Sequence, residues 1–137
     1  QDKLASLNLG LETRLSTSIG LLSGGQRQAI TLLMATLKAP ELLLLDEHTA
    51  ALDPATSATV MGLTEQLVAA QHITTLMITH DMQDALKYGN RLIMLDHGQI
   101  AVDIKGDQKQ GLTVPDLLRM FKEQSGKELN DDAVLLS

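Results

Sequence analysis

The order of apolar and polar segments predicts an α/β fold with a mainly parallel sheet and flanking helices. Leu42–Leu45 and Ile73–Ile78 are apolar runs of strand length, the second rich in β-branched residues. Between them, Pro54 to about Ala70 reads as a helix, so the strands are joined by the long crossover that parallel pairing requires. The first run is apolar throughout rather than alternating, as expected of a strand covered on both faces.

The remaining elements follow in chain order. Asp2 to Leu9 reads as a helix, and so do residues 24–38, closed by Lys38 and Pro40. Ala29, Ile30, Leu32, Leu33, Met34 and Leu37 cover most of that second helix, which predicts a largely buried one. Asp53 and Pro54 open the crossover helix as N-cap and first helical residue. Arg91 to Leu95 and Gln99 to Ile104 read as strands of a hairpin around Asp96-His97-Gly98. Thr113-Val114-Pro115-Asp116 caps a helix to about Lys122, and the tail from Gln124 onward is polar and weakly patterned.

Composition narrows the function. At 137 residues the chain is long enough for one domain with a buried core. There is no cysteine, hence no disulfide framework and no thiolate metal site. The four histidines, His48, His72, His80 and His97, lack paired metal-ligand spacing. A net charge of −6 argues against binding a nucleic-acid backbone. No signal peptide is visible and the apolar runs are too short to span a bilayer, so any role at a membrane needs a partner. No Met precedes Gln1 and the chain opens inside an expected helix, which reads as a fragment or processed product.

Two places carry chemistry. At Leu22-Ser23-Gly24-Gly25-Gln26-Arg27-Gln28-Ala29, a helix starts with two residues that lack side chains. Its orphan N–H groups and positive dipole end make a site for an anion such as phosphate. The plainer reading is a capping box between Ser23 and Gln26. Asp46 and Glu47 end an apolar strand at the carboxyl edge of a parallel sheet, where ligands of open α/β folds bind. One acid can hold Mg²⁺, directly or through water, while its neighbour polarises an attacking water; the alternative is a pair of solvated acids. His80 follows the next strand and can donate to a phosphate oxygen or bond a neighbouring carbonyl. Asp53 is already explained as a helix cap.

These segments together resemble the ATP-binding-cassette (ABC) ATPases. Leu22 to Gln28 is similar to their signature motif, Leu42 to Glu47 to their Walker B strand, Ala51-Leu52-Asp53 to their D-loop, and His80 to their switch histidine. The resemblance covers about residues 4 to 104 with the motifs in family order. His48 stands where the family usually has Pro, and Ala51 where Ser is usual, which removes a possible hydroxyl contact. No G-x-x-x-x-G-K-[ST] occurs, nor a recognisable switch-loop Gln before the signature, and neither Tyr88 nor Phe121 offers an adenine platform.

The resemblance therefore implies a P-loop NTPase-type fold from which the P-loop portion is absent, the C-terminal part of an ABC nucleotide-binding domain over residues 1–123. Residues 1–40 would hold the end of the helical subdomain and the signature helix, 41–104 the core, 105–123 a C-terminal helix, and 124–137 the tail. It implies an ATPase acting with ATP and Mg²⁺, in which two such subunits close head-to-tail. Ser23, Gly24, Gly25 and Gln26 would read the γ-phosphate held by the other subunit, with Asp53 communicating across the interface. Asp46 would help hold Mg²⁺, Glu47 would be the general base, and His80 would contact the γ-phosphate. The implied partners are a transmembrane permease and a solute-binding protein, with no nucleic acid, at the cytoplasmic face of the membrane; the favoured setting is a bacterial importer of a small solute. The chain alone is expected to be inactive. Two alternatives stay open: a non-transport ABC ATPase of DNA repair or translation, and a non-enzymatic interaction module.

Overall fold

The computed structural model describes residues 10–14 and 16–135, with side chains up to Gln124. The expected helix over Asp2 to Leu9 lies outside the described residues. The chain divides into two compact units at Ile78/Thr79.

The first unit holds helix α1 (Gly24–Ala35), strand β1 (Leu42–Asp46), helix α2 (Pro54–Gln71) and strand β2 (Thr74–Ile78), preceded by 3-10 turns at Leu11–Thr13 and Ile19–Leu21. β1 and β2 pair in parallel, from Leu42 opposite Thr74 to Asp46 opposite Ile78. The predicted α/β architecture is therefore present, with α2 as the crossover. Its start is written in the sequence and its end is not. Asp53 accepts from the Thr56 N–H at 3.1 Å and Pro54 follows, while His72 closes the helix in the left-handed region at φ 52°.

Three expectations fail here. α1 stops at Ala35, where Thr36 leaves the helical conformation (φ −109°, ψ 7°) with its N–H and its hydroxyl both bonded to the Leu32 carbonyl, at 3.1 and 2.8 Å. The helix is also not buried all round. Gly25, Ala29 and Leu32 face inward, whereas Met34 is 66% exposed. β1 likewise buries Leu43 and Leu45 but exposes Leu42 and Leu44, rather than being covered on both faces. Leu76 and Ile78 of β2 lie on that same exposed face by register. Among the described residues only one side of the pair is packed, against a core of Leu11, Leu22, Ala29, Leu32, Leu63 and Ile73.

The second unit holds helix α3 (Met82–Lys87), strands β3 (Arg91–Asp96) and β4 (Gln99–Lys105), a 3-10 turn at Gly106–Lys109, and helix α4 (Val114–Leu135). The strands form the expected antiparallel hairpin. Asp96 pairs with Gln99, so His97 and Gly98 are the whole loop, and both have positive φ (45° and 81°), the geometry of a type I′ turn. Arg91 clamps Asp103 across the strands with bonds of 2.8 and 2.7 Å. Leu92, Val102, Ile104 and Leu117 form the core of this unit. Lys109 is buried, donating through Nζ to the Tyr88 carbonyl and, at 2.8 Å, to that of Gly89, and its burial lowers the ammonium pKa.

α3 is an element that the motif reading passed over. Its signal is Asp81, whose carboxylate accepts from the Gln83 N–H at 2.7 Å and the Asp84 N–H at 3.2 Å. α4 runs to Leu135, well past Lys122, so the segment read as a tail continues the helix. No proline interrupts residues 116–135, and once a helix is nucleated each further residue adds a bond at little cost. Among the described residues no helix is long and apolar enough to cross a membrane.

Candidate functional site

The helix start singled out in the sequence is a reciprocal cap. Ser23 Oγ accepts from the Gln26 N–H at 3.2 Å, and the Gln26 side-chain oxygen accepts from the Ser23 N–H at 3.1 Å. The plainer reading of this pair is thus realised, and it fixes the orientation of both side chains. The serine hydroxyl acts here as acceptor, so its own proton can still be offered to an external oxygen. Ser23 is exposed at the tip of α1, and Arg27 reaches back to donate to the Leu22 carbonyl at 2.7 Å.

The two glycines turn out to have a packing reason as well. A Cβ added to Gly25, which is buried, would stand 2.1 Å from Cγ2 of Thr56 in α2. One added to Gly24 would meet Leu52 Cδ2 at 3.0 Å. The start of α1 therefore adjoins the Leu52–Asp53 turn and the first turn of α2, with no room for a side chain at position 25. Sequence spacing gave no sign of this contact, because residues 25 and 56 are brought together only by tertiary packing.

At the carboxyl end of the parallel pair, Asp46 is the last residue of β1 and Glu47 begins the turn; both are exposed. Glu47 has φ 45°, a left-handed conformation uncommon outside glycine, asparagine and aspartate. Its N–H donates to the Ile78 carbonyl at 3.0 Å, extending the strand register by one residue, and its carbonyl accepts from Ala50 at 3.0 Å. This turn sets the direction in which Glu47 leaves the sheet, which alternation along an extended strand could not have foretold. His48 Nε2 lies 3.2 Å from Thr64 Oγ1.

Asp53 is exposed, and its bond from Thr56 holds the carboxyl below the usual carboxylate range. His80 is exposed and belongs to the second unit, in the turn where Thr79 Oγ1 accepts from the Asp81 N–H at 3.0 Å before α3 begins. The first unit thus gathers Ser23–Gln26 beside the Leu52–Asp53 turn, and Asp46 beside Glu47.

Among the described residues no group of three or more His, Asp or Glu could hold a metal ion. A single exposed carboxylate such as Asp46 still fits Mg²⁺, which keeps several waters and takes other ligands from phosphate oxygens. A capped, glycine-fronted helix start likewise fits a phosphate.

Residues 2–50 match the family model described as ABC transporter, a stretch that includes Ser23–Gln26, Asp46 and Glu47. The chain is 49% identical over 119 residues to a tyrosine transport ATP-binding protein of Clostridioides difficile, covering 87% of this chain and 47% of that protein. It is 43% identical over 104 residues to an aliphatic sulfonates import ATP-binding protein of Nocardia farcinica, covering 74% and 42% respectively. A third relative, an aliphatic sulfonates import ATP-binding protein of Albidiferax ferrireducens, is 42% identical over 95 residues, 69% of this chain and 34% of that protein. The chain spans less than half the length of each of these relatives.

Proposed function

This chain belongs to the ABC transporter ATP-binding family, and from that premise we propose that it supplies the signature and the catalytic carboxylates of an ATPase that energises a membrane permease. The observation that carries the reading is the end of the parallel pair, where Asp46 and Glu47 are adjacent, exposed and held by the ladder and by the Ile78 carbonyl.

Mg-ATP would supply the phosphoryl group that is transferred to water, and its metal would supply charge that polarises that group. Asp46 would hold the metal, directly or through water. Glu47 accepts a proton from the attacking water, its carboxylate aimed by the left-handed turn. His80 donates to the γ-phosphate. Ser23, Gly24 and Gly25 meet the γ-phosphate held by a second nucleotide-binding subunit in a head-to-tail dimer, with Gln26 keeping the Ser23 cap in place. Asp53 lies beside this helix start and carries information across the dimer interface.

Because the sequence contains no P-loop, the activity belongs to the intact protein, and this chain alone binds ATP weakly or not at all. The partners are a transmembrane permease and a solute-binding protein, and the cargo is a small solute taken into a bacterial cell. The relatives named for tyrosine transport and sulfonate import support that choice over DNA repair or translation.

The test is Glu47→Gln in the intact protein. Removing the base while keeping the shape should lower hydrolysis by about 10²- to 10⁴-fold, with ATP binding retained and the closed dimer accumulating. Parental turnover in that variant would remove Glu47 from the mechanism. Calorimetric titration of the 137-residue chain with Mg-ATP tests the other half of the proposal, and micromolar affinity would overturn it.

A further inference from the structure

The turn that carries Glu47 is fastened to the body of the first unit by a side chain with no role in the family motif. Leaving β1, the chain must reverse into α2 over residues 47–52, and it does so with Glu47 at φ 45°. A non-glycine residue enters that region at a cost and persists there only when its surroundings hold it. The backbone of Glu47 is held by Ile78 on one side and Ala50 on the other. The next residue supplies a third hold. His48 Nε2 meets the hydroxyl of Thr64, which is 6% exposed on the inward face of α2.

The direction of this bond can be deduced. Thr64 Oγ1 donates its single proton to the Val60 carbonyl, one turn back in α2, at 2.8 Å. Toward His48 it can therefore only accept, so the proton resides on Nε2. His48 is partly buried, and a bond to a fixed helix hydroxyl in that setting restricts the ring and the peptide from which it projects.

We propose that His48 is a positioning residue for the general base: its Nε2–H···Oγ1 bond to Thr64 ties the turn to α2 and keeps the Glu47 carboxylate at the edge of the sheet. This rests on the assignment of Glu47 as base. His48 touches neither nucleotide nor water in this scheme and acts only through the position of Glu47.

The experiment measures steady-state ATP hydrolysis, ATP binding and thermal unfolding on the intact protein. His48→Phe keeps a ring and removes the donor. Thr64→Val keeps the shape and removes the acceptor, and Thr64→Ser restores the hydroxyl. His48→Phe and Thr64→Val should each lower kcat by about 10- to 100-fold, the scale on which small displacements of a catalytic group act. ATP affinity should stay unchanged, and Thr64→Ser should recover most of the parental rate. The double variant should be no slower than the slower single one, because both remove one bond. In a Glu47→Gln background His48→Phe should have no further effect. Parental kcat in Thr64→Val or His48→Phe while Glu47→Gln is inactive overturns the positioning role alone. So do multiplying losses in the double variant, or a further loss in the Glu47→Gln background. If Glu47→Gln is itself fully active, the base assignment falls and this proposal with it. Should His48→Phe fail to fold, the Thr64→Val and Thr64→Ser pair decides.

Discussion

The parallel pair β1–β2 and the hairpin β3–β4 are each two strands long, yet they obtain their register from different sources. The hairpin is closed by two residues, His97 and Gly98, whose backbone twist suits the strands, and the Arg91–Asp103 clamp lies across it. Everything that sets its register is within 15 residues. The parallel pair has no such local closure. Its strands are connected through the 18-residue α2, so its register depends on how α2 and α1 pack on Leu43, Leu45 and Ile73. The chemistry proposed for Asp46 and Glu47 stands on this second kind of support. Disturbing the core under β1 should reach the carboxylates, while disturbing the hairpin should stay local.

The same difference explains what could be read in advance. Caps, turns and crossover were legible because each depends on neighbours in sequence: Ser23 with Gln26, Asp53 with Thr56, His97 with Gly98. The motifs located Asp46, Glu47 and His80 as residues, but not the left-handed turn at Glu47 or the His48–Thr64 bond, both of which arise from tertiary packing. A glycine at 25 leaves room for a phosphate, and the structure adds Thr56 as a second reason for it. The exposure of Leu44 and Met34 could not be foreseen either, because apolar periodicity says which residues seek cover and not which receive it.

The largest effect that would test the contrast is at Leu43, 6% exposed beneath β1. Leu43→Ala removes most of a buried side chain and leaves a cavity, so it should destabilise the chain by about 2–5 kcal/mol. Denaturant unfolding measures this directly. A loss below about 1 kcal/mol would mean that β1 is not anchored by this core.

A smaller effect separates the two readings of Gly25. Gly25→Ala drives a methyl group into Thr56 and should cost about 1–3 kcal/mol as the helices are forced apart. Thr56→Ala removes the Cγ2 atom that would be struck, leaving Thr56 Cβ at 3.7 Å as the next neighbour. The double variant should therefore regain most of the lost stability. In the intact protein it should also regain hydrolysis if packing is the chief reason for the glycine. Restored stability with hydrolysis still absent would instead assign Gly25 to phosphate approach, and no restoration of either would contradict the packing itself.

The smallest expected effect is the most informative about the parallel pair. Leu44 is 65% exposed on the face that it shares with Leu42, Leu76 and Ile78, one residue along from the buried Leu43. With no cover among the described residues, Leu44→Ser removes apolar surface that is already largely wet, so the stability of this chain should change by no more than about 0.5 kcal/mol. Because side chains alternate, adjacent residues of one strand then report on opposite faces, and the Leu43 and Leu44 variants share the same backbone and turn. If Leu44→Ser instead costs about 2 kcal/mol or more, the face is covered in solution. A cost that grows with protein concentration would identify the cover as another copy of the chain, since association stabilises by mass action. A cost independent of concentration would place the cover within the same molecule and remove the one-sided packing on which the comparison rests.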